Sequence, residues 1–139
     1  MAEQDWWTAP AEGDNGSLIM VTGRRDAEKF RSNPRFNIRF EIEWRYGEAG
    51  MPDEKTAETM GQVQDLISEA LAKDPVAVLT GIYTGDGIRN WVFYTLSTHI
   101  LARKINEALA SLPLLPLKLS AENDPDWAEY DEMSQLALN

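Results

Sequence analysis

Pro75-Val-Ala-Val-Leu-Thr-Gly-Ile-Tyr-Thr-Gly-Asp-Gly-Ile-Arg-Asn-Trp-Val-Phe-Tyr-Thr-Leu-Ser97 holds two runs rich in β-branched and aromatic residues around Thr84-Gly85-Asp86-Gly87. That pattern predicts a β-hairpin with a tight, glycine-dependent turn. It is the most apolar piece of the sequence, and a helix-like segment lies on each side of it. The hairpin is therefore expected at the centre of a sheet. It contains no catalytic motif. Its second run is apolar on both parities: Trp91 and Phe93 compete with Val92, Tyr94 and Leu96 for the core side. A strand of that kind is expected to be covered on both faces.

Upstream, Phe36 to Tyr46 alternates strictly. Phe36, Ile38, Phe40, Ile42, Trp44 and Tyr46 point one way; Asn37, Arg39, Glu41, Glu43 and Arg45 point the other. This is the pattern of a half-buried strand in an antiparallel sheet. Asp53 to Lys73 follows as the longest helix, with Met60, Val63, Leu66, Ile67, Ala70 and Leu71 in one apolar stripe. Pro52, Asp53 and Glu54 suit its first turn. Gly61 is expected to permit close approach to the sheet.

Beyond the hairpin, Ser97-Thr98 caps a helix predicted over His99 to Leu112, with Leu101, Ile105, Ala108, Leu109 and Leu112 inward. Leu117-Lys118-Leu119-Ser120 reads as a last strand, and the nearby Pro113 and Pro116 favour an edge position. Asp124-Pro125 marks a short helix, with Asp124 as cap, Pro125 at the first helical position, and Trp127, Tyr130 and Met133 inward. Residues 134 to 139 are expected to fray. At the other end, Trp6-Trp7, the turn-forming Gly13-Asp14-Asn15-Gly16 and the strand Ser17 to Thr22 read as a first hairpin, the tryptophans folding over the core. Arg24-Arg25 reads as a solvated loop rather than a phosphate grip, and Ala27 to Arg31 as a single helical turn.

From residue 36 onward the order is β-α-β-β-α-β. That predicts an α+β protein with the ferredoxin-like, split βαβ arrangement, in which four antiparallel strands carry two helices on one face. The N-terminal hairpin would extend the sheet at an edge, and the C-terminal helix would cover a margin. With 139 residues and no internal repeat or low-complexity linker, one domain spanning 1–139 is expected.

Thirteen basic against twenty-three acidic residues give a net charge of −10. Such a surface repels nucleic-acid phosphate and disfavours anionic membranes, whereas it suits a basic protein partner. There is no cysteine, which removes disulfides, thiol nucleophiles and cysteine-ligated metals. No apolar run approaches the roughly 20 residues of a membrane span, and the acidic start is unlike a signal peptide. The expected location is cytoplasmic.

Several clusters hold residue types that can carry chemistry. His99 is the sole histidine, which makes a nucleophile–histidine site or a zinc site improbable. Glu41 and Glu43 share one strand face, and Glu122, Asp124 and Asp126 cluster near the C-terminus; these are the places for a carboxylate-based or divalent-cation-dependent enzyme. Gly81, Gly85 and Gly87 join strand to strand, so they form no dinucleotide fingerprint. No cofactor or metal is implied, and catalysis is the less favoured reading. The constellation that stands out is the open sheet face. Mixed charge there is either a plain solvated surface or a docking surface formed by Arg39, Glu41, Glu43, Arg45 and Lys118, for a protein partner or for self-association through the sheet face or an edge strand.

Four stretches resemble the family called domain of unknown function 695. They are Asp5-Trp6-Trp7-Thr8, the segment Arg25 to Trp44, the hairpin Thr84-Gly85-Asp86-Gly87 with Arg89-Asn90-Trp91-Val92-Phe93-Tyr94, and Asn123-Asp124-Pro125-Asp126-Trp127-Ala128-Glu129-Tyr130. The resemblance brings no catalytic residue with it. It implies a kinship with the ferredoxin-like regulator of ribonuclease E activity B, and so a protein-binding, regulatory role.

Overall fold

The computed structural model describes residues 5–47 and 50–138, with the side chain of Leu138 left aside. It is an α+β structure, with six antiparallel strands in one sheet and four helices among the described residues. In chain order these are β1 (Trp6–Glu12), β2 (Leu18–Arg24), α1 (Glu28–Arg31), β3 (Ile38–Arg45), α2 (Glu54–Lys73), β4 (Ala77–Gly85), β5 (Ile88–Thr95), α3 (Thr98–Ala108), β6 (Leu117–Asn123) and α4 (Ala128–Ser134). The strands are ordered β1-β2-β4-β5-β3-β6.

The β4–β5 hairpin sits inside the sheet, as its apolar runs require. Its turn is Asp86-Gly87, with φ of 54° and 81°. Positive φ at both central residues is the type I′ geometry that matches the twist of two paired strands, and Asp-Gly is a favoured sequence for it. The N-terminal hairpin β1–β2 joins by pairing β2 with β4, and β6 is an edge paired to β3.

One face carries α2 and α3. Phe40, Ile42 and Trp44 of β3, Leu79 and Ile82 of β4, and Trp91 and Phe93 of β5 pack there against Met60, Val63, Ile67, Leu101 and Ile105. Asp53 caps α2 by accepting from the Thr56 N–H at 2.8 Å, and Ser97 caps α3 by accepting from Ile100 at 3.2 Å. The helix α3 stops at Ala108, four residues short of the expected Leu112. Gly61 faces open space on the exposed side of α2, so the expected close approach to the sheet does not occur.

The opposite face departs from expectation. It is not open across its whole width. Val78 and Tyr94 are buried there with Ala27, Phe36 and Trp127, while Trp7 and Val21 are buried with Met133. Thus α4 lies over β4 and the N-terminal hairpin as a second layer, not at a margin. Phe36 precedes β3 and turns to this side, against Phe30, instead of joining the Phe40 row. Residues Gln135–Leu138 continue α4 as a 3-10 turn, where fraying was expected, and Leu136 packs on the Trp7 cluster. Trp7 caps the core as anticipated. Arg24 is no loop residue: it ends β2, donates to the Leu79 carbonyl at 2.8 Å and lies 4.6 Å from the Trp6 ring. Burial lowers its pKa.

Candidate functional site

Strand registers decide which side chains meet on the second face. Directly opposed residues of antiparallel strands share a face. Tyr83, Asn90, Glu43 and Lys118 form one row across β4, β5, β3 and β6; Gly81, Val92, Glu41 and Ser120 form the next. Val78, Tyr94, Arg39 and Glu122 form a third. The side chain is missing from the second row at Gly81, and α4 settles into the gap. A Cβ at Gly81 would lie 2.6 Å from the Met133 sulfur.

How α4 is fixed follows from Asp124. Its carboxylate accepts from the backbone N–H groups of Ala128 at 2.9 Å and Glu129 at 3.1 Å, and from the Tyr94 hydroxyl at 2.7 Å. Asp124 thus supplies the capping carboxylate as expected, but the N-cap position itself is taken by Trp127. Pro125, however, lies in the turn before the helix, which starts at Ala128 after Trp127 in a left-handed conformation with φ of 57°. The Trp127 ring stacks on Tyr94 at 4.1 Å, and its Nε1 donates to the Phe36 carbonyl at 2.7 Å. Burial disfavours the Asp124 carboxylate, yet the hydrogen bonds from Tyr94, Glu129 and Ala128 outweigh it and hold the pKa below the usual value. Burial, together with the hydrogen bond to Asp124, raises the Tyr94 phenol.

Where α4 stops short of β3, it leaves a cleft of about 700 Å³. Its floor is Arg39, Glu41, Tyr83, Ile88 and Asn90. One wall is Glu129, Glu132, Met133 and Leu136, and the other is the two hairpin turns with Asp14, Asn15, Ile19 and Asp86. Asn15 donates to Asp86 at 3.1 Å, joining the turns. Among the described residues five carboxylates therefore line the cleft with one cation, Arg39. That arginine lies 3.3 Å from Glu41 and 3.8 Å from Glu122. Burial raises Tyr83 to about 12; Arg39 opposes that, while Glu129, Glu132 and Glu41 add to it. Two buried polar atoms at the floor, Arg39 Nε and Asn90 Oδ1, have no hydrogen-bond partner among the described residues.

Of the five residues expected to form a docking surface, the structure brings Arg39 and Glu41 into the cleft. Glu43 and Arg45 pair with each other at 3.1 Å further along β3, outside its lining. Lys118 stands on the edge strand in the Glu43 row. Sequence reasoning missed Tyr83, Asn90, Asp14, Asp86, Glu129 and Glu132. The spacing of Glu129 and Glu132 was a usable signal, since i and i+3 share one side of a helix. Nothing local announces that this side faces β3.

The carboxylates considered for catalysis do not converge. Glu41 and Glu43 are each matched to an arginine of the same strand. In the C-terminal cluster Asp124 is buried in its capping role, and Glu122 lies beside Arg39. Among the described residues no group of three or more acidic or histidine side chains is placed to hold a metal ion. His99 is exposed in the first turn of α3.

Residues 4–133 match the model of a family of unknown function, DUF695. The chain belongs to that family. No curated protein and no solved structure matches it. The DUF695 match spans every described strand and most of α4, including Glu129, Glu132 and Met133 of the cleft wall, while Leu136 lies beyond it. Among the described residues no helix is long and apolar enough to cross a membrane.

Proposed function

We propose that this DUF695 protein is a non-catalytic, cytoplasmic binding module of one domain, and that its cleft takes a basic segment of a protein partner. The observation that carries this reading is the lining of the cleft, which among the described residues has five carboxylates, a single arginine already engaged by two of its neighbours, and an apolar strip of Ile19, Ile88, Met133 and Leu136. A lysine or arginine presents a charged head on an apolar stem, and this surface complements both parts. Glu41 would take the ligand's cations, with Arg39 fixing that carboxylate through their 3.3 Å ion pair, while Glu43, Arg45 and Lys118 would meet acidic or polar groups flanking the basic segment along the sheet.

Strands β3 to β6, in the order β4-β5-β3-β6 with α2 and α3 on one face, support a ferredoxin-like unit to which the N-terminal hairpin and α4 are added. Kinship with the regulator of ribonuclease E activity B rests on the sequence resemblance alone.

The test is a fluorescence-anisotropy titration with a labelled peptide alternating lysine and leucine. The natural chain should bind it, with an affinity that falls as salt rises. Glu129→Lys together with Glu132→Lys should weaken binding at least tenfold, while Glu69→Lys on the exposed side of α2 should not. No binding by the natural chain, or equal loss in both variants, would overturn the proposal.

A further inference from the structure

The two edges of the sheet are not alike. The outer strand β1 carries Pro10 in its middle and is packed by the 3-10 turn that follows α4, both of which discourage another strand from pairing. The other edge, β6, has no proline or glycine over Leu117–Asn123 and, among the described residues, pairs on one side only, with β3.

We propose that β6 pairs antiparallel with β6 of a second copy of this chain, joining two six-stranded sheets across a two-fold axis at Ser120. Strand register favours this pairing. An axis perpendicular to the sheet keeps each residue on its own face, so opposed residues must have the same parity. With Ser120 facing Ser120, Lys118 of each copy faces Glu122 of the other, Leu119 faces Ala121, and Leu117 faces Asn123. All seven residues pair, and two opposite-charge pairs form. Moving the axis to residue 119 or 121 removes both charge pairs. Moving it to 118 or 122 sets lysine against lysine or glutamate against glutamate. The strand is thus complementary to itself in one register, and directly opposed charges of like sign penalise the outer ones.

The remaining surface agrees with this occupant. Among the described residues Lys118 makes no ion pair within its own chain, and Glu122 has only the 3.8 Å approach to Arg39. On the helix side of the same edge, Leu119 is 37% exposed and Leu114 fully exposed. They border an apolar groove of about 370 Å³ between α3 and β6, lined also by Ile105, Leu109, Leu112 and Leu117. A two-fold axis perpendicular to the sheet puts both grooves on one side of the joined sheet, next to each other.

The experiment uses the full chain. Sedimentation across a hundredfold dilution should show a species of twice 15.7 kDa that dissociates on dilution. Lys118→Glu alone and Glu122→Lys alone should each weaken the dimer at least tenfold, and the two together should restore it. Because the chain has no cysteine, a second readout is available. Ser120→Cys should form an intermolecular disulfide under mild oxidation far faster than Lys118→Cys, whose counterpart is Glu122. A chain monomeric at every concentration would overturn the proposal. So would a dimer indifferent to the single charge changes, or equal cross-linking at positions 118 and 120.

Discussion

The Asp124 carboxylate ties α4 to β5 through three hydrogen bonds, one from the Tyr94 hydroxyl and two from the first backbone N–H groups of the helix. Its depressed pKa makes this a pH-dependent tie. A carboxylate whose folded pKa lies below its unfolded value stabilises the fold above the unfolded pKa, and that stabilisation is lost as pH falls through the folded value. Asp124→Asn should therefore cost about 1–3 kcal/mol at pH 7. The gap between variant and natural chain should narrow as pH drops below about 4, the ordinary aspartate range. Denaturant melts at several pH values would show it; a gap constant from pH 7 to pH 2.5 would contradict the assignment. The capping role of Asp124 was legible because Asp-Pro is a local signal. The bond from Tyr94 was not, since nothing at residue 94 says which residue thirty positions away will lie above it.

Elements with one clear period were read correctly from the residues: β3 by its alternation, α2 by its stripe, the β4–β5 turn by Asp86-Gly87. Elements whose partners are distant were read less well. The short α4 has an apolar side at Trp127, Tyr130 and Met133, but its docking site depends on Gly81 and Val92 sharing a sheet row, which only pairing reveals. Gly61 shows the opposite failure, a glycine given a packing purpose that it lacks. Its position at an exposed site inside α2 yields a direct expectation. Gly61→Ala should stabilise the protein by about 0.5–1 kcal/mol, through the lower backbone entropy of the unfolded chain and better helix propensity. A thermal melt unchanged or lowered would mean that the site is not open.

Across the whole molecule, the sheet is a central layer with helices on both faces, and its hydrophobic residues are divided accordingly. The expected half-open sheet was a reasonable reading of β3, whose outward side is charged. For β5, apolar on both parities, cover on both faces was the expectation, and both faces are covered. The cleft exists because these two strands differ: α4 covers the apolar half of the second face and leaves the charged half bare. Deleting residues 124–139 should then expose Tyr94, Val78 and Val21 at once. We expect the shortened chain to bind a hydrophobic dye and to lose its cooperative melt, the behaviour of a collapsed chain without fixed packing. A cooperative melt in that variant would show that the second layer is dispensable.

The packing of Leu136 and Met133 on Trp7 and Val21 also sets an order in time. A ribosome makes residues 7 and 21 long before residues 127 to 136. Until the later segment emerges, Trp7, Val21, Val78 and Tyr94 belong to a sheet face that lacks its cover. For that interval the nascent chain presents a sticky surface, of the kind that chaperones which bind unfinished proteins recognise.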